Sequence, residues 1–228
     1  MNTNPIHPKD FIEEGVYVGN IFDFVKEDNV SELYDNIKSL QNFAKNNTKS
    51  IRCRYQYYPG DKNYEDSISM DKVEARNQFV KDNNLNIWQR WYEFTATNQL
   101  NNYFRNIAFD IVNGMYPANN YKITDFKNNS NFTMYLDGDM ICPHRDGLNP
   151  GRICGLIVYL TPETEYIDGG GELTIVTNNK NEYEVKPVLG NFSLLEFTHS
   201  NINHGVNPVK NGFVRFAHTT FFELNENN

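Results

Sequence analysis

His144 and Asp146 stand two residues apart. On extended backbone, side chains at i and i+2 point to one face, so an imidazole nitrogen and a carboxylate oxygen are offered to one point in space. His-x-Asp is a common pair and a weak signal, and alone it reads as a solvated surface loop far more often than as a metal site. A second histidine from elsewhere in the chain would complete a two-His, one-carboxylate face. That donor set holds non-haem Fe(II) and leaves coordination positions open. His204, in the run His204-Gly205-Val206-Asn207-Pro208-Val209, is the best candidate for the third donor.

Arg215 gives the second signal. It sits within Phe213-Val214-Arg215-Phe216-Ala217-His218-Thr219-Thr220-Phe221, an otherwise apolar strand. An inward guanidinium in an all-β core is costly unless a carboxylate meets its fork. The sequence assigns it no acidic partner. A bound dicarboxylate would serve: one end of 2-oxoglutarate can chelate Fe(II), and its distal carboxylate can meet Arg215. Strand alternation then sends Ala217, Thr219 and Phe221 inward with Arg215, and turns Phe216, His218 and Thr220 to the other layer. His218 is therefore a poor ligand. His199, in the turn before His204, reads as structural or exposed, or as a substrate contact; His7 is assigned nothing.

These residues need elements to position them. Val16-Tyr17-Val18 reads as a short strand. A helix is expected over 28–46, capped by Ser31, with Leu33, Ile37, Leu40 and Phe43 or Ala44 on one face. Residues 51–58 are expected to be extended and to end at Pro59-Gly60. The polar span 61–93, with a helix near 70–81, is expected to carry a substrate-covering loop. Trp88 and Trp91, with Tyr55, Tyr57 and Tyr58, either line a substrate pocket or pack between helices and sheet. The clearest helix is 97–113, with one broad apolar stripe and a stop at Asn113-Gly114. From Tyr121 the period changes to two, with strands expected at 121–126, 131–136, 140–146, 153–160, 172–177, 182–186, 191–198, 204–209 and 213–223. Thr133 and Tyr135 share the inner face, which leaves Phe132, Met134 and Leu136 to meet the 97–113 helix. Many short strands with regular turns predict a sandwich, barrel or jelly roll.

The span from about Tyr121 to Leu224 resembles the prolyl-4-hydroxylase-like branch of the Fe(II)/2-oxoglutarate dioxygenases. The matching residues are Tyr135, Gly138, His144-Arg145-Asp146, the strand Ile153 to Leu160, Gly169-Gly170-Gly171-Glu172-Leu173-Thr174-Ile175, the His204 to Val209 run, Gly212 and Arg215. The resemblance implies an α+β fold: a double-stranded β-helix (jelly-roll) core at 121–228, braced by N-terminal α-helices and substrate-covering segments at 1–120, the whole 1–228 one domain. It implies His144, Asp146 and His204 as iron ligands and Arg215 as the anchor of 2-oxoglutarate. Tyr135 and Tyr159 match positions that line the cosubstrate pocket, with core packing of satisfied phenols as the alternative. Thr219 matches a hydroxyl that assists the cosubstrate, and Leu173 matches a wall position. Eleven residues lead from His204 to Arg215, a slightly long interval that a turn at Val209 to Gly212 can absorb. Implied cofactors are Fe(II), 2-oxoglutarate and O2, with ascorbate an admissible reductant. Hydroxylation of an unactivated C–H would follow, with succinate and CO2 as coproducts, and the carboxylate of Asp146 favours hydroxylation over halogenation. The triple glycine precedes a strand and lacks the Lys-Ser/Thr of a phosphate loop, so it reads as a turn near the active-site mouth.

Bulk properties exclude other classes. The chain has 228 residues, 39% hydrophobic and 14% aromatic, enough for a real core. A net charge of −8 argues against nucleic acid and anionic membranes as partners, and no run approaches a membrane span. Three cysteines without CxxC spacing fit a reduced, cytoplasmic protein. The expected partner is a small-molecule or peptide substrate, a peptidyl prolyl residue or a free amino acid. Arg152, Trp91 and Tyr57 are expected at the pocket rim, with Arg152 meeting a substrate carboxylate; Arg52, Arg54 and Trp88 are further rim candidates. The competing reading is a cupin-like metal protein doing non-oxidative chemistry or ligand sensing, which needs no buried dicarboxylate anchor.

Overall fold

The computed structural model describes residues 14–57, 65–84, 87–116, 119, 121–146, 151–166, 170–198 and 202–225. In chain order the elements are β1 (Val16–Asn20), α1 (Val30–Asn46), β2 (Arg52–Tyr57), β3 (Glu65–Ser69), α2 (Val73–Asp82), β4 (Ile87–Phe94), α3 (Asn98–Met115), β5 (Asn129–Tyr135), β6 (Met140–His144), β7 (Arg152–Tyr159), β8 (Leu173–Val176), β9 (Glu182–Val185), β10 (Asn191–Glu196), β11 (Asn203–Val206) and β12 (Arg215–Glu223). The strands form one rolled antiparallel sheet in the order β1-β10-β7-β12-β5-β4-β6-β11-β8-β9, with β2 and β3 extending it from β4. This is a double-stranded β-helix with helices against one face. Among the described residues no helix is long and apolar enough to cross a membrane. Cys53 and Cys154 are buried thiols without a disulfide.

Two apolar clusters separate the faces. α1 buries Leu33, Ile37, Leu40 and Ala44, and α3 buries Leu100, Phe104, Ala108, Ile111, Val112 and Met115, the 3–4 spacing of an apolar stripe. Each of these large side chains contributes about 1.5–3 kcal/mol by leaving water. Thr97 caps α3, its Oγ1 accepting from the Leu100 N–H at 3.4 Å. Phe104 meets Phe132 of β5 edge-on, with ring centroids 5.5 Å apart. The expected split of β5 and β12 holds: Phe132, Met134, Phe216 and Phe222 join the helix-side cluster, whereas Tyr135 and Ala217 join the cluster inside the roll.

Several expectations are corrected. Residues 61–93 are not an irregular cover: where described they form β3, α2 and β4, and β4 sits inside the sheet. Residues 121–126 are no strand. A 3-10 turn at Ile123–Asp125 and a bridge from Phe126 to Leu224 take their place, because the Asp125 carboxylate accepts from the Lys122 N–H and closes a turn. Ser31 lies inside α1 and does not cap it, since a 3-10 turn at Glu27–Asn29 starts the helix earlier. Asn113-Gly114 does not stop α3, which runs on to bury Met115. Strand 140–146 ends at His144, so Asp146 lies just beyond it. Met1 to Asp10 with His7, the Tyr58-Pro59-Gly60 segment, Asn149-Pro150, Asp168-Gly169 and His199 lie outside the described residues, as do the side chains of Tyr57 and Trp88.

His218 faces the helices. It is fully buried between Phe104 and Phe132, with centroids 5.8 and 4.9 Å away, and its Nε2 has no partner among the described residues. Burial pushes its pKa from 6.5 down to about 3. The unfolded chain therefore takes up a proton that the folded chain refuses. Stability is full above about pH 6.5 and falls toward pH 3 by about 1.4 kcal/mol per pH unit. Urea denaturation at pH 7 and pH 5 should show wild type losing about 2 kcal/mol more than His218→Leu. Identical pH slopes would contradict the assignment.

Candidate active site

The site lies at one mouth of the roll and is assembled from β6 and β11. These strands pair with His204 opposite His144, and their ring centroids are 4.5 Å apart. Asp146, past the end of β6, turns back between them. Its carboxylate oxygens lie 3.7 Å from His144 Nε2 and 3.4 Å from His204 Nε2. The three donor atoms fall within 4.8 Å of one another. Burial would raise the pKa of Asp146, but the two imidazoles outweigh it and hold the carboxyl well below its usual range. Burial disfavours charge on His144, yet Asp146 and the Cys142 carbonyl lift its pKa above the ordinary value. His144 Nδ1 lies 3.0 Å from that carbonyl, which fixes the proton there and leaves Nε2 as the donor. Two neutral imidazoles and one ionised carboxylate suit Fe(II), with half of an octahedron left open.

A close approach of backbones makes this convergence possible. The register between β6 and β11 shifts between His204 and Val206, and Gly205 fills the gap. A Cβ at Gly205 would stand 2.8 Å from the Ile141 carbonyl oxygen and 3.0 Å from the Pro143 nitrogen. Gly205→Ala should therefore push His204 away from His144. The expected result is about tenfold weaker Fe(II) binding, with a stability loss of about 1–3 kcal/mol; unchanged iron affinity would show that the gap is slack.

The turn before β6 is pinned from β4. Asp139, with no exposure, pairs with Arg90 and accepts from the Leu136 N–H at 2.7 Å. The same turn docks on the β11–β12 connection through Gly138 N–H to Val209 O and Val209 N–H to Asp139 O. In that connection Asn211 and Gly212 adopt left-handed φ values of 60° and 71°, a turn that takes up the long interval before Arg215.

Arg215 is 1% exposed inside the roll. Its Nε donates to the Gly171 carbonyl at 2.8 Å, and its guanidinium lies over the rings of Tyr135 and Tyr159, at 4.6 and 5.2 Å. No carboxylate among the described residues pairs with it. Gly171, at φ 74°, leaves no room for a side chain: a Cβ would be 3.3 Å from Arg215 Cδ and 3.0 Å from Phe213. Gly170 and Gly171, both at positive φ, thus lead into β8 and seat the guanidinium.

One cleft of about 370 Å³ joins these parts. His144, Asp146, His204, Arg215, Tyr135, Thr219 and Leu173 all line it, as do Arg152 and Trp91 from the expected rim. Tyr159 lies just beneath, fully buried, its hydroxyl 3.1 Å from Ser193 Oγ. Tyr55 is core, buried and bonded to Asn77 at 3.0 Å. Arg152 is already engaged: its guanidinium lies 4.0 Å from Glu223 and stacks on Phe221 at 4.2 Å. On β4 the sequence reading named Trp91 but missed Gln89 and Glu93, which line the cleft with it, and Gln56 of β2 beside them. The signal was the i, i+2 spacing of Gln89, Trp91 and Glu93.

Comparison with known proteins agrees with the geometry. Residues 130–223 match the 2OG-Fe(II) oxygenase superfamily. No curated protein matches the sequence. Among solved structures, a Pseudomonas putida prolyl-4-hydroxylase is similar at 16% identity and TM-score 0.51, over 96% of this chain and 97% of that one. A Trichoplax adhaerens prolyl hydroxylase, in complex with a hypoxia inducible factor oxygen degradation domain peptide fragment, is similar at 14% identity and TM-score 0.59, over 95% of this chain and 86% of that one. An oxidoreductase of the 2OG-Fe(II) oxygenase family from Burkholderia pseudomallei is similar at 12% identity and TM-score 0.60, over 98% and 93%. The stretch that matches this family model holds all three donors and Arg215, and the similar structures share the fold of the whole chain. These findings support a 2-oxoglutarate-dependent dioxygenase, and the matched family implies Fe(II), 2-oxoglutarate and O2.

Proposed function

We propose that His144, Asp146 and His204 hold the iron, that Arg215 binds the distal carboxylate of 2-oxoglutarate, and that the enzyme hydroxylates an unactivated C–H of a peptidyl prolyl residue or a free amino acid. When bound, iron and cosubstrate supply the oxidising power, with succinate and CO2 as coproducts. The protein's residues do the rest. Tyr135 and Tyr159 flank the Arg215 guanidinium and restrict where its fork can point, Thr219 offers a hydroxyl on the same face, and Leu173 closes the wall. Asp146 brings the negative charge that two imidazoles lack. Arg152 and Trp91 stand where a substrate would enter, and Tyr57 is carried as a rim residue from its strand position alone. The whole chain is proposed to work as one catalytic domain, residues 1–120 bracing and covering the roll of 121–228.

The observation that carries this reading is a buried guanidinium without a carboxylate partner in the same cleft as three convergent donors. A non-oxidative cupin has no use for that anchor. The Trichoplax structure is of a complex with a peptide fragment, which favours a peptide over a small molecule as the first substrate to try. The test is an oxygenation screen of amino acids and proline-containing peptides with Fe(II), 2-oxoglutarate and ascorbate, read by mass spectrometry. One added oxygen atom and a matching yield of succinate are expected. Succinate that never couples to any added oxygen would leave the oxygenase without the proposed substrate classes.

A further inference from the structure

Gln89 is a polar group in the cleft that the site described so far does not use. It is 8% exposed, it lines the cleft, and its Oε1 is buried with no hydrogen-bond partner among the described residues. Its Nε2 donates to Oε1 of Gln56, the residue opposite it across the β2–β4 ladder. On the other side of β4, Gln89 is in register with Ile141, three residues before His144. The two carboxamides therefore form a fixed polar row beginning one strand away from an iron-ligand position.

A buried acceptor without a donor is costly to keep, and folded chains rarely leave one. Nothing in the fold demands an amide at this position, since an apolar side chain of similar length would carry no such cost. Gln89 lines a cleft that must receive a substrate, and a donor on that substrate, reached by a small turn of the carboxamide, would satisfy its orphan oxygen. A neutral oxygen suits a neutral donor: an ammonium placed there would sit buried against an uncharged amide. The carboxylate on the same strand, Glu93, already accepts from Trp91 Nε1 at 2.8 Å and lies 3.5 Å from Arg54. Gln56, half-buried, completes an acceptor-and-donor pair that matches the N–H and C=O of an amide.

We infer that Gln89, held by Gln56, is a specificity-determining substrate contact that accepts a hydrogen bond from a neutral amide N–H, so that the substrate is an amide-bearing chain and not a free amino acid. The inference rests on the oxygenase reading above and narrows its substrate class. For a prolyl target, which has no N–H of its own, the donor is the amide of the residue that follows.

The experiment compares three probes for each test residue: an acetyl-blocked N-methylamide, its methyl ester, in which that N–H is replaced by oxygen, and the free amino acid. Relative kcat/KM is read by mass gain for the wild type, Gln89→Met and Gln56→Met. Wild type should prefer the amide to the ester by at least about tenfold, and both variants should bring the ratio toward one. A purely structural loss lowers amide and ester together and leaves the ratio unchanged, so an unchanged ratio in both variants overturns the inference. So does a wild-type ratio near one, a preference for free amino acids, or no oxidised amide while wild type still converts 2-oxoglutarate to succinate. Absence of succinate under every condition is a different result, and it strikes the oxygenase reading itself.

Discussion

Asp146→Ala and His144→Ala each reduce succinate formation by at least about 10³-fold, because the chemistry belongs to the bound iron and cosubstrate and the protein has nothing to replace them. The fold survives both changes. Asp146 lies beyond the end of β6 and carries no sheet pairing, and the mouth it occupies is partly open to solvent. Urea denaturation should place each variant within the usual range of a single substitution, about 0.5–3 kcal/mol of wild type. Succinate assay and iron content measured on the same preparation check the prediction together. His204→Ala, run beside them, removes the third donor from the other strand and should lose succinate formation to the same degree. Full activity in any of the three, with iron bound, would contradict the ligand assignment.

Arg215→Ala separates the cosubstrate from the metal. Truncating one partner of a buried, hydrogen-bonded charge pair costs about 2–5 kcal/mol, so 2-oxoglutarate should bind at least about thirtyfold more weakly. Iron affinity should change by less than about threefold, since the guanidinium touches Gly171, Tyr135 and Tyr159 and none of the three donor side chains. Arg215→Lys keeps the charge but loses the two-pronged match to a carboxylate, and should fall between the two. Equal losses of iron and 2-oxoglutarate would mean that Arg215 is a packing element. The folded apo protein should tolerate the change to Ala better than its burial suggests, because a buried charge without a carboxylate partner is removed along with the packing.

How much of this was readable before the structure depends on what each residue must satisfy. β12 was legible because a single Arg in an apolar strand fixes which side chains face in, and the observed split of Phe216 and His218 from Ala217 and Thr219 follows that parity. α3 was legible because its stripe packs on a largely apolar face, in which Phe132 and the buried His218 meet Phe104. β4 was not. Its inner face carries Gln89, Trp91 and Glu93, the residue types a cleft uses, and its outer face carries Arg90, whose charge is neutralised by Asp139, a partner far away in sequence. Alternation of polarity is erased wherever both faces must hold polar groups. The same holds for 121–126, where Phe126 alone is buried and the preceding residues close a turn on Asp125. The convergence of His144, Asp146 and His204 was foreshadowed by residue type and spacing. Their assembly depends on the Gly205 close approach and the β6–β11 register shift, neither of which has a pattern in a single sequence.

The central claim is that three side chains from two strands bind one metal opposite a guanidinium that binds its cosubstrate. Anaerobic titration addresses it directly: Fe(II) is added to the purified protein, then 2-oxoglutarate, and visible absorption is followed. The account predicts one Fe(II) per chain and a weak charge-transfer band on adding 2-oxoglutarate. That band should be lost in Asp146→Ala and should need far more 2-oxoglutarate in Arg215→Ala. No band from folded, iron-loaded protein, or the same band at the same 2-oxoglutarate concentration in both variants, would contradict it.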